Sequence, residues 1–431
     1  MKSSVVRAIV FASFLLQTVF STWKTNLDIY NTTTKSITDF EGSYGIDWQA
    51  NITVHKHATF IFNSYDFHSN AGTVFKNEGV FYAHNIGAYP TYAKNYNSGS
   101  SFKLNEGIQK GGFLNYGYFM YNDNNTICSP PTYTIHGNFF YNEGTYIMAG
   151  CQMCDGSTNI IKPSGPNSYF INKGVLAYMQ YFMTTGDAPS TYWGSDSCVT
   201  DVATVVNNGS LCLFNNNPVY QNSPYAGNGC IDIGNQSTFA MRCPQYFGID
   251  GVLQTFLLST NTSVLYFGNA EDSGKKPIVP YIVSGWGNNN QITINTCCPT
   301  WTYDGNTLSI TTNGGTNTFK FIIGPGYDPS LISWSNGRSC NNLGSSGARF
   351  VYNAPPPDSS RPSVCLPCPT FIPGLYDILQ DQPDYTTTFT TTKSDGSVET
   401  DSGVVHVTNT DGTITTTTSL FPNEYTTTFT T

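Results

Sequence analysis

Charge is the scarcest commodity in this 431-residue chain. Asp, Glu, Lys and Arg make up only 11% of it, against roughly a quarter in ordinary soluble domains. Its 19 Lys and Arg form no basic run, which argues against nucleic acid as a partner, and the net charge is −9. No apolar stripe of period 3.6 runs for long, so helix content should be low. Beyond residue 20 no run reaches the ~18 apolar residues that cross a bilayer. Adjacent Asp pairs of the kind that hold calcium and sugar in one class of lectin are missing, as are Gly-x-Ser-x-Gly elbows and phosphate-binding glycine loops. Cysteine is absent before Cys128 and after Cys368.

What is present is aromatic and repetitive. The chain has 28 Tyr, 28 Phe and 40 Gly. Six stretches share the pattern apolar-x-Asn-x-Gly, around Asn77, Asn105, Asn115, Asn142, Asn172 and Asn207, and all but one Asn-to-Asn gap run from 27 to 35 residues. A period of that length points to stacked strand rungs. Asn and Gly both tolerate positive φ, so they are expected where each strand turns. One rung cannot bury its apolar side alone, and stacking does so. A series of hairpins with Asn-x-Gly turns is the alternative.

The chain divides into five parts. Residues 1–21 read as a signal peptide: Lys2 and Arg7 precede an apolar core from Ala8 to Phe20, with cleavage near Ser21. Residues 22–248 read as the rungs, the segment before about residue 60 serving as a cap. In 249–355 six short strand-like runs separated by turn signals suggest an antiparallel β-sandwich. Residues 356–384 form a Pro- and Cys-rich connector. In 385–431 Tyr385-Thr-Thr-Thr-Phe-Thr390 returns as Tyr425-Thr-Thr-Thr-Phe-Thr430, and 19 Thr fall between Asp381 and Thr431. Such a tract reads as an O-glycosylated stalk or a disordered tail, cut inside its second copy.

In an exported chain the twelve cysteines, Cys128, Cys151, Cys154, Cys198, Cys212, Cys230, Cys243, Cys297, Cys298, Cys340, Cys365 and Cys368, read as up to six disulfides. Cys151/Cys154 and Cys365/Cys368 also have half-zinc-site spacing, which export disfavours. N-glycosylation sequons stand at Asn31, Asn51, Asn124, Asn208, Asn235 and Asn261.

Candidate chemistry is sparse. Glu78, Glu106 and Glu143 could stack as an acidic ladder for calcium or a glycosidase pair, but Tyr116 and Lys173 replace them in other rungs. Asp47, His55, His57, His68, His84, Lys110 and Asp123 are loose candidates, with His55 and His57 placed to face one side of a strand. Aromatics crowd the middle rungs: Tyr116, Tyr118, Tyr121, Tyr141, Tyr178, Tyr181, Phe182, Tyr192 and Trp193. Alternate ones belong in the core, and the rest would make an apolar or sugar-stacking surface. No cofactor is expected.

The Asn-Glu-Gly rungs, the Cys-x-x-Cys segments and the Thr-rich repeats together resemble the N-terminal domain of the hyphally regulated cell wall proteins of yeasts. The resemblance covers about residues 22–370. It implies an all-β chain: a right-handed parallel β-helix (solenoid), then a small antiparallel β-sandwich, then the Thr-rich stalk. It also implies linkage to wall glucan through a GPI remnant, although the sequence ends in Thr rather than an apolar tail. The reading is of a monomeric adhesin head, not an enzyme, whose ligand is a glycan or a hydrophobic surface. The alternatives are a β-helical glycoside hydrolase or lyase and a passive coat protein.

Overall fold

The structure, a computed structural model, describes residues 20–31, 33–36, 45–63, 66–69, 71–84, 101–122, 132–150, 158–180, 191–193, 203–215, 219–268, 270–336, 347–372, 385–392, 398–410, 413–420 and 429–430. Almost all of it is strand; the only helices among the described residues are single 3-10 turns. Three long sheets of 13, 8 and 13 strands take the strands in strict rotation through residue 226. One turn of chain thus supplies one strand to each sheet. Phe139–Asn142 of the second sheet, for example, pairs parallel with Gly112–Asn115 before it and Tyr169–Asn172 after it.

Residues 27–63 do not form a separate cap. Leu27–Ile29 and Ile52–Val54 already pair in the second sheet, in register with Phe75–Asn77. The loops expected at 151–166 and 184–196 contain the strands Thr158–Ile161 and Thr191–Trp193 of the first sheet.

Alternation sets the inside and outside of each rung. Along the second-sheet strands the burial alternates, so Phe75, Phe113, Phe140 and Phe170 occupy one inward column. Their rings stack rung on rung, Phe75 on Phe113 at 5.5 Å and Phe113 on Phe140 at 5.4 Å. A second column runs Phe81, Phe119, Tyr146 on the third sheet, at 4.7 and 4.9 Å. Such aromatic pairs add about 0.5–1.5 kcal/mol each beyond area burial. The hydroxyls of Tyr146, Tyr225 and Tyr281 are buried with it, and burial pushes all three phenols well above their ordinary range.

The repeat works differently from a positive-φ turn. Asn77, Asn115, Asn142, Asn172 and Asn207 have ordinary φ and fully buried side chains at the corner between the second and third sheets. Each amide nitrogen donates to the side-chain oxygen of the next: Asn77 to Asn115 at 2.8 Å, Asn115 to Asn142 at 2.7 Å, Asn142 to Asn172 and Asn172 to Asn207 at 2.8 Å. Each also donates to a backbone carbonyl of the next rung, such as Asn142 to Val175 at 3.0 Å. At the far end, where Ala226 and Gly227 lack the amide, Gln254 accepts from Asn207 at 3.1 Å and donates to Ala226 at 2.6 Å.

The repeat glycines answer to close approach. A Cβ on Gly144 would lie 1.9 Å from the Gly117 carbonyl oxygen, and one on Gly174 would lie 2.0 Å from that of Gly144. No side chain fits where successive backbones stack this tightly. Asn105 is the exception that explains the single short gap. It has φ +54, stands at the end of a first-sheet strand, and bonds both backbone groups of Thr73 instead of joining the ladder.

Parallel pairing continues past Gly248, where the turn-rich sequence had led us to expect an antiparallel unit. Thr255–Leu258 and Tyr281–Ser284 extend the third sheet, and Val264–Phe267 and Gln291–Ile294 extend the first, all parallel. Only the second sheet stops, at Tyr225–Ala226. The cause is the inward residues, Phe256, Tyr281, Leu265 and Ile292, which continue the same apolar core. Antiparallel pairing enters at the sheet ends, through Thr300–Tyr303, Thr307–Thr311 and Thr318–Ile322 on one and Ile332–Asn336 and Ala348–Tyr352 on the other.

The connector turns back as a strap along the outer face of the third sheet. Cys365 bonds to Cys230 and Cys368 to Cys212, across 135 and 156 residues. Arg361 pairs with the buried Asp232 at 2.8 Å. Cys243 is also disulfide-bonded. Cys297 departs from the expectation of complete pairing: it is a half-buried free thiol. Cys128, Cys151, Cys154, Cys198 and Cys340 lie outside the described residues. The Thr-rich tract, read from sequence as a glycosylated stalk or a disordered tail, forms a four-stranded antiparallel sheet of Tyr385–Thr392, Val398–Thr410, Thr413–Leu420 and Phe429–Thr430. Thr is β-branched and fits a strand, which outweighs its inability to fill a conventional core.

Candidate functional site

Because the second-sheet strands alternate, the residues on either side of each inward Phe face solvent. The outward column next to the ladder is Lys76, Leu114, Tyr141, Ile171 and Val206, in strict register. Two residues further from the ladder stand Phe139 and Tyr169, whose rings stack at 5.5 Å. Tyr116, in the turn after the ladder, tilts against Tyr141 at 5.4 Å. Together they make a flat apolar and aromatic face spanning three rungs. Tyr116 is 44% exposed and Tyr169 38%, more than a packed aromatic usually shows.

The turn column supplies the polar edge of this face. The Tyr141 hydroxyl donates to Glu143, and that bond holds the phenol above its ordinary range. Lys173 lies 5.4 Å over the Tyr141 ring, and its hydrogen bond with Tyr141 raises its own pKa. At the N-terminal side Lys76 pairs with Glu78 at 2.6 Å.

Of the aromatics singled out in the sequence, Tyr116 and Tyr141 belong to this face. Tyr121 and Tyr178 are core, and Tyr118 is half-buried on the outer third sheet beside the cluster of Met120 and Ile147. Tyr192 and Trp193 lie in the first-sheet strand Thr191–Trp193, and Tyr181 and Phe182 lie outside the described residues. Sequence reasoning missed Leu114, Phe139, Tyr169 and Ile171. Their signal was position: they fall one and three residues before a ladder Asn, the outward phase of the rung.

The acidic ladder does not assemble. Glu106 sits at a different corner and pairs with Lys103 at 3.1 Å. Glu78 and Glu143 share a column but stand two rungs apart, about 10 Å at ~4.8 Å per rung, with Tyr116 between them. Glycosidase carboxylates stand roughly 5–9.5 Å apart, and both of these are engaged by neighbours.

The histidine pair is also divided. His55 lies beyond the strand end, stacked on Tyr30 at 4.0 Å and bonded to Asp28 at 3.0 Å. His57 is in a turn at φ +67, its pKa lowered by burial. Asp47 and His68 are register partners on the first sheet, and His84 ends a third-sheet strand. Lys110 is exposed in a turn and Asp123 lies outside the described residues. No group of three His, Cys, Asp or Glu able to hold a metal occurs among the described residues.

A helix-poor coil of three long, mostly parallel sheets with a flat aromatic face, a disulfide-bonded strap and a Thr-rich β extension defines the class: a stacked-strand β protein. Comparison with known proteins gives the family. The model of the hyphally regulated cell wall protein N-terminal domain matches residues 31–373. The chain belongs to that family, and its place is the fungal cell wall. It is similar to cell wall protein RBR3 of Candida albicans, 27% identical over 72% of this chain and 19% of the relative. It is also similar to hyphally regulated cell wall protein 3 (26%, 70% and 23%) and cell wall protein IFF3 (28%, 68% and 29%) of the same organism. These relatives are named as cell wall proteins rather than enzymes, and the chain spans a fifth to three-tenths of their length.

Proposed function

We propose that this chain is the head of a wall-anchored adhesin, and that the outer face of the second sheet makes first contact with the surface to which the cell attaches. The observation that carries this reading is the contiguous set Leu114, Tyr116, Phe139, Tyr141, Tyr169 and Ile171 on a rigid sheet, with Glu143 and Lys173 along one edge. A flat array of rings suits an extended apolar surface or the faces of sugar rings. Rigidity matters because ordering costs at contact are small when the face is already fixed.

The remaining architecture fits presentation of such a head. Parallel strands joined by crossovers are right-handed in about 98% of cases, so we take the coil as a right-handed β-helix. The two antiparallel extensions, whose inward residues Ile310, Phe319 and Phe350 share one core cluster, act as a small sandwich closing its end. The glycosylated Thr-rich tract is the start of a stalk, and a GPI-derived link to wall glucan holds it. The head functions as a monomer and needs no catalysis.

The test is attachment of a non-adherent yeast displaying residues 22–372 to plastic, epithelial cells and a glycan array. Tyr116→Ser with Tyr169→Ser is expected to lower attachment at least fivefold at unchanged display level, because surface changes of this kind cost within about 0.5 kcal/mol of stability. Undiminished attachment by the double variant defeats the assignment of this face. No attachment by the parent defeats the adhesin reading and favours a coat protein.

A further inference from the structure

A cleft of about 750 Å³ lies away from the aromatic face, and its size is that of a ligand site. One wall is the end of a third-sheet rung, Leu258 to Asn261, another is the turn at Asn288 and Asn289, and the third is the strap at Pro356, Ser359 and Arg361. The turn is held open by backbone geometry, since Gly285, Asn288 and Asn289 all have positive φ. Arg361 is held in position by Asp232 and by the carbonyl oxygens of Cys365 and Leu366. The lining is amide, hydroxyl and one guanidinium, with the half-buried Pro356 as an apolar contact. That combination suits a sugar, which offers hydroxyls at its rim and C–H groups on its face.

Asn261, in the sequon Asn261-Thr262-Ser263, stands on the wall of this cleft, exposed, with no hydrogen bond to its side chain among the described residues. Other sequons differ. The Asn235 amide nitrogen donates to Asn215 at 2.7 Å, so a glycan there competes with an existing bond. The oxygens of Asn51 and Asn208 accept backbone bonds, from Val74 and Asn228, while Asn31 lies exposed outside the cleft.

We propose that Asn261 carries an N-linked glycan whose first acetamido sugars lodge in this cleft and join the strap to the coil. In the transfer, the Nδ2–C1 bond forms as the bond from C1 to a lipid diphosphate breaks. The diphosphate leaves, and Nδ2 gives up one proton. In the folded chain a sugar face meets Pro356, and the hydroxyl and acetamido groups meet Asn289, Ser359 and Arg361. The inference is independent of the adhesin reading, since the cleft and the aromatic face share no residue.

The experiment uses the full 431-residue chain secreted from yeast. Glycopeptide mass spectrometry measures occupancy at Asn261, and a core-cutting endoglycosidase measures the release rate from the native protein. The same rate is then taken on Ser359→Trp, which fills the cleft from an exposed strap position. Asn261 should be occupied, with its glycan released roughly tenfold more slowly from the parent than from the variant, because cleavage follows the undocked population. An unoccupied Asn261 overturns the proposal, and so do equal release rates from the two proteins.

Discussion

The rungs up to Cys230 and the rungs after Gly248 share two sheets and one core, but their corners are set in different ways. In the first region a buried amide ladder and a glycine stack repeat at one corner, so each turn is fixed by contacts with the turns before and after it. In the second region no ladder continues beyond Gln254 among the described residues. The corners there are local turns with positive φ, at Gly285, Asn288, Asn289, Gly305 and Gly314, and the chain that leaves this region returns as the strap bonded to Cys212, Cys230 and Asp232 of the last ladder rungs. The contrast shows two ways to fix register in a stacked sheet. An inward Asn that must find its neighbour forbids a one-residue slip, which would carry it to solvent and bury an outward residue. A tight turn specifies register only for the hairpin it closes.

Four experiments break or sharpen this comparison. The largest effect belongs to Gly144→Val, whose Cβ would meet the Gly117 oxygen at 1.9 Å. It should cost at least about 4 kcal/mol and abolish secretion. Gly305→Ala in the second region, with φ +94 but open space around it, should cost only ~1–2 kcal/mol. Equal secreted yields for the two variants would refute a glycine stack as the determinant of the first region.

Next comes Asn142→Ala. It removes the acceptor of Asn115 and strands the Asn172 oxygen and the Val175 carbonyl in a dry corner, for roughly 2–4 kcal/mol. The exposed Asn228→Ala serves as the near-neutral reference, and denaturant midpoints compare them. A ladder that tolerated the loss as easily as the surface does would have to be ornamental.

Third, Cys365→Ser with Cys368→Ser frees the strap. Each bridge closes a long loop and contributes about 2–4 kcal/mol. The thermal midpoint should fall while the far-ultraviolet strand signal at low temperature stays, because the ladder rungs remain; loss of that signal would mean that the ladder rungs themselves depend on the strap bonded to them.

The smallest effect per group is alkaline. Tyr146 of the first region and Tyr281 of the second hold phenols raised by burial, and Tyr225 stands at the boundary between them. Their folded pKa exceeds the unfolded value near 10, so their stabilisation is complete below about pH 10 and is lost as pH rises toward the folded values. Each costs about 1.4 kcal/mol per pH unit above that point. Tyrosinate absorbance should therefore rise together with unfolding, and smooth titration of all tyrosines with the fold intact would count against their burial.

Much of this was legible in the chain. The spacing of Asn142, Asn172 and Asn207 reported stacked rungs, and runs such as Gln291–Ile294 and Thr307–Thr311 became strands where expected. The sequence alone determined a helix-poor, all-β chain of stacked rungs, because composition and a period of about 30 residues are properties of the string, and its motifs carried the resemblance to the wall-protein family. Whether an Asn-x-Gly corner is a positive-φ turn or a ladder beside a glycine stack was decided only by tertiary contact. The two share a sequence signature and differ in what lies one rung away. The same holds for Asn105, which carries the motif but faces Thr73. It holds too for residues 249–294, whose turn signals are local while their parallel pairing is imposed by the exposed end of the rung before. The aromatic face was half visible: Tyr116 and Tyr141 were candidates, but outward orientation and the company of Phe139 and Tyr169 follow from strand register, which pairs residues 30 positions apart and which no local window contains.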